Sequence, residues 1–255
     1  MNRGEFEVMS RAEEQHWWYR GLRDVLALSL QRSDLAPPSH PKVLDAGCGT
    51  GENLRFLQEL LQPSYLGGFD ESAEALRFAK RKAPAADIYL SDICDPSLHV
   101  GELDLVTSLD VIYIPGVKNS LEGLHRIVAK VRRGGLLVLN LPAYDWLYSE
   151  HDVAIHTSQR FTVRGVRALL GSLGLSVELL TYRLCFLLPA VVLARLPGLL
   201  TARPGDEEAR SDLHRVPGEL ANRALLGVLR AENRLIARGI RFPWGSSVFA
   251  IGRKV

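Results

Sequence analysis

Cysteine is scarce in this chain. There are three in 255 residues, Cys48, Cys94 and Cys185, far apart and without CxxC spacing. An odd, scattered set argues against a disulfide framework or a zinc knuckle and suits a reducing, cytoplasmic setting. A strong charge of one sign is also missing. Lys and Arg together number 31 against 29 for Asp and Glu, so the basic excess of a general nucleic-acid binder is absent and no nucleic-acid partner is expected. Long hydrophobic runs are lacking too. The longest, 184–200 (LCFLLPAVVLARLPGLL), is short for a membrane span and contains Pro189, Arg195 and Pro197. The opening MNRGEFEVMSRAEEQHWWYR is polar and aromatic, unlike a secretory signal. No His, Cys, Asp and Glu cluster has metal-ligand spacing.

What the sequence does have is alternation. Apolar strand-like runs at 42–47, 65–70, 87–92, 104–111, 134–142, 176–182 and 246–252 mostly alternate with amphipathic stretches at 52–61, 72–83, 120–131 and 163–174. Ser72 and Thr162 are candidate helix N-caps, and Gly174 is a candidate stop. Such alternation predicts a doubly wound α/β fold, a mostly parallel sheet covered on both faces, with its ligand beyond the carboxyl ends of the strands. The reading is of one domain over 1–255 with two additions. A helix over Glu13–Gln31 precedes the proline-rich linker LAPPSHP, and residues 1–36 form a candidate N-terminal lid. Residues 184–245 form a helical insert before the last strand, with a helix near 219–238.

The stretch VLDAGCGTGENL, 43–54, carries Gly47, Gly49 and Gly51 between a strand and a helix. Glycines there allow a tight turn and close approach of a ligand to the backbone, although a bare turn is the plainer reading. The spacing is GxGxG, with Glu52 where the dinucleotide fingerprint has its last glycine, and no P-loop lysine follows. A nicotinamide dehydrogenase is therefore disfavoured. Asp45 suits an amino-acid ammonium better than a pyrophosphate. Asp70, with Glu71 beside it, closes the second strand, where a carboxylate accepts from a ribose diol; a helix-start carboxylate is the alternative. Asp92 could accept from an adenine amino group, with Ile93 against the ring.

Taken in order, VLDAGCGTG (43–51), FD (69–70), SDI (91–93), DLVTSLDV (104–111) and RRGGLLVLNLP (132–142) resemble the class I S-adenosylmethionine-dependent methyltransferases. The resemblance implies a seven-stranded Rossmann-like sheet with an antiparallel last strand and S-adenosyl-L-methionine as cofactor. It also implies that Asp45, Gly47, Cys48, Gly49 and Gly51 lie at the methionine end, Asp70 at the ribose, and Asp92 and Ile93 at the adenine. Ser108, Leu109 and Asp110 would line the methyl-bearing sulfur. HWWYRGLR (16–23), LPAYDWLYSEHDVAIHTSQRFT (141–162) and FPWGSSVFAIGRK (242–254) further resemble a bacterial group of methyltransferases, some found alongside glycan or lipid-linked biosynthesis. Tyr113 and Ile114 stand where many of that group carry an acidic residue or histidine.

Methyl transfer to a small-molecule or carrier-linked acceptor, at oxygen in preference to nitrogen or carbon, is the expected activity; a non-catalytic S-adenosylmethionine-binding partner protein is the alternative. A protonated acceptor needs a base. His151 and His156, with Tyr144, follow the fifth strand and are the catalytic candidates; tethering the loop is their structural alternative. Trp18 and Tyr19 could close over the cofactor, the aromatic faces meeting its sulfonium, or could simply be packing residues. The insert caps the domain or makes peripheral membrane contact.

Overall fold

The polar connections and apolar runs of the sequence fold into one sheet with helices on both faces. The computed structural model describes residues 3–113, 117–149, 152–153, 157–193 and 216–255. Helices α1 (Arg3–Gln15) and α2 (Trp17–Leu30) come first. Then follow β1 (Lys42–Ala46), α3 (Glu52–Leu61), β2 (Tyr65–Asp70), α4 (Ala73–Lys82), β3 (Asp87–Leu90) and β4 (Leu103–Leu109). The second half runs α5 (Val117–Ala129), β5 (Val131–Pro142), α6 (Val163–Ser172), β6 (Leu175–Arg183), α7 (Glu219–Ala237) and β7 (Ser247–Lys254). The sheet order is β3-β2-β1-β4-β5-β7-β6. Pairings among the first five strands are parallel, and β7 lies antiparallel between β5 and β6. This is the doubly wound arrangement expected from the alternation, with the seven strands and antiparallel last strand that the family resemblance implies.

Pleating sorts each strand's residues between two apolar layers. Leu44, Val106, Leu139 and Ala250 join Leu124 and Ile127 of α5 and Val166 and Leu170 of α6. Val43, Leu105, Val138 and Phe249 join residues of α2, α3 and α4 and Ile236 of α7. The two expected caps form: Ser72 Oγ accepts from Ala75 N at 3.2 Å and Thr162 Oγ1 from Gly165 N at 3.1 Å. Gly174 ends α6 with φ +71°.

Three of the boundaries that differ from the sequence reading have a visible cause. The single helix over 13–31 is two helices, parted at His16, whose backbone is extended (φ −69°, ψ 133°). Side chains bridge the elbow: His16 Nδ1 accepts from Trp18 N at 3.2 Å, and Asn222 of α7 accepts from Trp17 N at 2.8 Å and donates to Gln15 O at 2.9 Å. The third strand stops at Leu90, short of Asp92, because the Asp92 carboxylate accepts from Cys94 N at 2.8 Å and turns the chain. The fifth strand starts at Val131, not at the glycine pair. Gly134 (φ +78°) sits within it, and the β4–β5 register shifts there, as in a bulge.

The N-terminal helices and the insert meet. A Cβ on Gly21 would lie 2.1 Å from Leu229 Cδ2, so α2 and α7 approach as closely as glycine permits. Asn233 Nδ2 donates to Gly21 O at 2.7 Å, and Arg230 pairs with Asp24 at 2.6 Å. Glu232, fully buried on α7, accepts from Leu184 N at 2.6 Å and Phe186 N at 3.0 Å, pinning the exit of β6. Residues 188–193 are helical. Among the described residues, no helix is long and apolar enough to cross a membrane. Arg195 and the rest of 194–215 lie outside them.

Candidate active site

Crossing from β1 to α3, the chain is folded over the end of β2. Gly47 N and Cys48 N both donate to Phe69 O, at 2.9 and 2.8 Å, and Gly49 N donates to Asp70 Oδ2 at 3.0 Å. All three glycines have positive φ, +80°, +53° and +87°. A Cβ would also strike Val111 Cγ2 from Gly47 at 2.4 Å and Ala79 Cα from Gly51 at 2.5 Å. Above Gly49 there is more room: the nearest atoms to such a Cβ are Met9 Cε and Glu13 Oε1, at 3.6 and 3.7 Å. Thus α1 lies over the loop.

Asp45 is fully buried beneath it. Its Oδ1 accepts from Thr107 Oγ1 at 2.6 Å, while its Oδ2 has no hydrogen-bond partner. Burial pushes its carboxyl up to about 7, against the Thr107 hydrogen bond, with the charges of Asp70 and Glu13 adding to the rise. Asp70 is held by the backbone, its two oxygens accepting from Gly49 N and, at 2.9 Å, from Ser72 N. Glu71 and Asp92 are exposed, and Ile93 is half-buried.

At the end of β4 Asp110 takes a left-handed conformation, φ +60°. Both its carboxylate oxygens accept from Asn140 Nδ2, at 3.1 and 2.8 Å, and Asn140 Oδ1 accepts from Arg183 Nη1 at 3.1 Å. Arg183 and Asn140 are fully buried, and Arg183 Nε and Nη2 have no hydrogen-bond partner. Burial raises the Asp110 carboxyl to about 7, opposed by Asn140 and Arg183. Burial lowers the Arg183 guanidinium to about 10, opposed by the charges of Glu232, Asp110 and Asp24. Leu109 is buried with the α2-side layer; Ser108 is fully buried and its hydroxyl is unpaired.

From the N-terminal helices, Glu13 hydrogen-bonds Thr50 Oγ1 and faces Lys82 Nζ at 3.4 Å. Arg23 donates to Glu13 O at 2.7 Å. Tyr19 is half-buried; burial, then the charges of Glu13 and Asp110, hold its hydroxyl far above its ordinary range. Trp18 meets it edge-on at 5.0 Å and packs against the α2-side layer.

His151 and His156 lie outside the described residues. Their neighbour Asp152 is fully buried and paired with Arg160, and its Oδ2 accepts from Ser149 N at 2.9 Å. Arg160 Nε also donates to Ala143 O at 2.9 Å, so this pair ties the segment to the end of β5. Tyr144 stacks on Tyr182 at 4.9 Å and Trp146 at 5.7 Å, and its hydroxyl reaches Pro243 O at 3.5 Å. Burial, then Tyr182, raises that hydroxyl, which disfavours the phenolate a base would need. No metal-ligating cluster occurs among the described residues. Thr107, Asn140 and Arg183 escaped the sequence reading. Asn140 had one signal, a polar side chain inside the apolar run LLVLNLP.

Residues 43–135 match a family model described as a methyltransferase domain. A trans-aconitate 2-methyltransferase of Paracidovorax citrulli (strain AAC00-1) is 32% identical over 114 residues, 44% of this chain and 42% of the relative. The chain thus spans less than half the length of that curated relative. An S-adenosylmethionine-dependent methyltransferase from Clostridium acetobutylicum ATCC 824 superposes with TM-score 0.58 at 10% identity, covering 92% of each chain. A TehB-like methyltransferase from Corynebacterium glutamicum ATCC 13032 gives TM-score 0.52 at 13% identity, over 91% of this chain and 88% of that one. These structures share the fold. Over residues 43–135 the chain is thus similar to the methyltransferase-domain family, and its fold is the one that these S-adenosylmethionine-dependent methyltransferases share.

Proposed function

We propose that the chain transfers a methyl group from S-adenosylmethionine to a small or carrier-linked metabolite, at oxygen. One observation carries the reading: Asp45 Oδ2, buried beside the glycine loop without a partner. A buried carboxylate oxygen is costly unless something positive meets it. The ammonium of a methionine moiety would do so. The lone pairs left on Asp70 suit a ribose diol, and the glycines let such a ligand approach the backbone. Bound S-adenosylmethionine supplies an activated methyl group. The protein's part is then to hold the acceptor in line and to take its proton, and orientation alone is worth about 7–11 kcal/mol in favourable models. His151 or His156, on the segment after β5, takes that proton.

An apolar or lipid-linked acceptor fits the rim better than a freely soluble polar one. Trp146 beyond β5, Phe186 beyond β6 and Trp244 before β7 are 57%, 48% and 54% exposed. All three sit at the strand ends where the ligand belongs, since β7 runs against its neighbours.

Thermal-shift titration with S-adenosylmethionine and with NAD tests the donor: stabilisation by the first alone is expected, and stabilisation by NAD alone overturns the reading. Incubation with methyl-labelled donor and fractionated bacterial extract should then give S-adenosylhomocysteine and one labelled fraction. Full turnover on that acceptor by both His151→Ala and His156→Ala would remove the histidines as bases.

A further inference from the structure

Two carboxylates border the glycine loop, Asp45 buried and Asp110 partly open, and the ammonium answers only one of them. Asp45 lies under the loop. Asp110 adjoins it from β4, for the next residue, Val111, has its side chain against Gly47. Asp110 is held hard. Its oxygens take both hydrogen bonds from Asn140 Nδ2, its backbone N donates to Asn140 O at 3.0 Å, and Arg183 Nη1 fixes which end of the Asn140 amide faces it. Unlike Asn140 and Arg183, Asp110 keeps part of its surface open. Among the described residues its direct hydrogen-bond partner is that neutral amide, and no ion pair is made with it. A carboxylate so placed is built for a cation that arrives from outside.

S-adenosylmethionine carries two separated positive charges, the ammonium and the sulfonium; its product keeps the first and loses the second. We propose that Asp110 is the counter-charge to the sulfonium, so that the chain prefers the charged donor to neutral S-adenosylhomocysteine. Asn140 and Arg183 are positioning residues that orient its carboxylate. The inference rests on the cofactor reading above. It adds a way for the spent cofactor to leave: once the methyl has gone, the bound molecule no longer offers Asp110 a positive charge beside it.

The groups facing Asp110 are Tyr19 from α2, Asn140 from β5 and Arg183 from β6, with Tyr113 just beyond β4. Asp45, Asp70 and Glu13 meet parts that donor and product share, so their titration cancels in a ratio of affinities. Calorimetric titration of the full chain with each compound, from about pH 5.5 to about pH 7.5, reads that ratio. The preference for S-adenosylmethionine should grow as pH rises and Asp110 ionises. Asp110→Asn should cut it by about tenfold and flatten it. Asn140→Leu, which removes the hydrogen bond favouring the ionised form, should move the rise to higher pH. A ratio independent of pH in the unaltered protein overturns the inference without needing any variant, and so does an unchanged ratio in Asp110→Asn. If neither compound binds, the cofactor reading itself fails, and this inference with it.

Discussion

At the scale of single residues, the proposed donor site rests on side chains that the interior strands turn inward. Asp45→Asn keeps the Thr107 contact but removes the charge. Affinity for donor and product should fall together, by about tenfold or more, in a calorimetric titration; this common loss separates Asp45 from Asp110, which should act on the donor alone. The Asp152–Arg160 pair is a different case, since both partners are buried. Arg160→Met removes the ion-pair partner of a buried carboxylate, and urea unfolding should show a loss of about 3–5 kcal/mol. Much of this scale was legible in the sequence. The acids closing β1 and β2 and the three glycines occupy the expected places, because backbone geometry at a strand-to-helix turn admits few residue types. Thr107, Asn140 and Arg183 were not legible, because their value lies in partners 62, 30 and 43 residues away along the chain.

At the scale of elements, the break at His16 divides the N-terminal region by attachment. α2 is fastened to α7 through Gly21, Asp24 and the elbow itself. α1 instead rests on the glycine loop through Glu13. Deleting residues 1–15 should therefore leave a folded protein with weakened cofactor binding; unchanged affinity would make α1 a packing element only. The His16 ring gives the elbow a pH dependence. Burial lowers its pKa from 6.5 to about 4. The unfolded chain thus takes up a proton near pH 6.5 while the folded chain does not, and stability present above that value is lost as pH falls towards 4. The urea midpoint should drop between about pH 7 and about pH 5, and His16→Asn, which keeps a capping side chain, should reduce the drop. The helical periodicity continued across this break, so the sequence pattern showed one helix. Only Asn222, more than two hundred residues on, reveals why two are stable.

At the scale of the molecule, strand order and site agree: the glycine loop, Asp70, Asp110 and the aromatic rim all stand where the parallel strands end. Trp146→Ser with Trp244→Ser should abolish co-flotation with anionic liposomes if the rim rests on a lipid surface; absence of flotation by the unaltered protein would remove that surface from consideration. The alternation of apolar runs made this architecture readable early, since a parallel sheet must be covered on both faces. The order of assembly is another matter. Among the described residues β7, last of the seven in sequence, is the sole sheet neighbour of β6 and the second neighbour of β5. During synthesis the ribosome must deliver residues 247–254 before either edge can close. Until then β5 and β6 expose open hydrogen-bonding edges, a template for pairing with other chains. The nascent protein should therefore be at its most chaperone-dependent and aggregation-prone just before the final strand emerges.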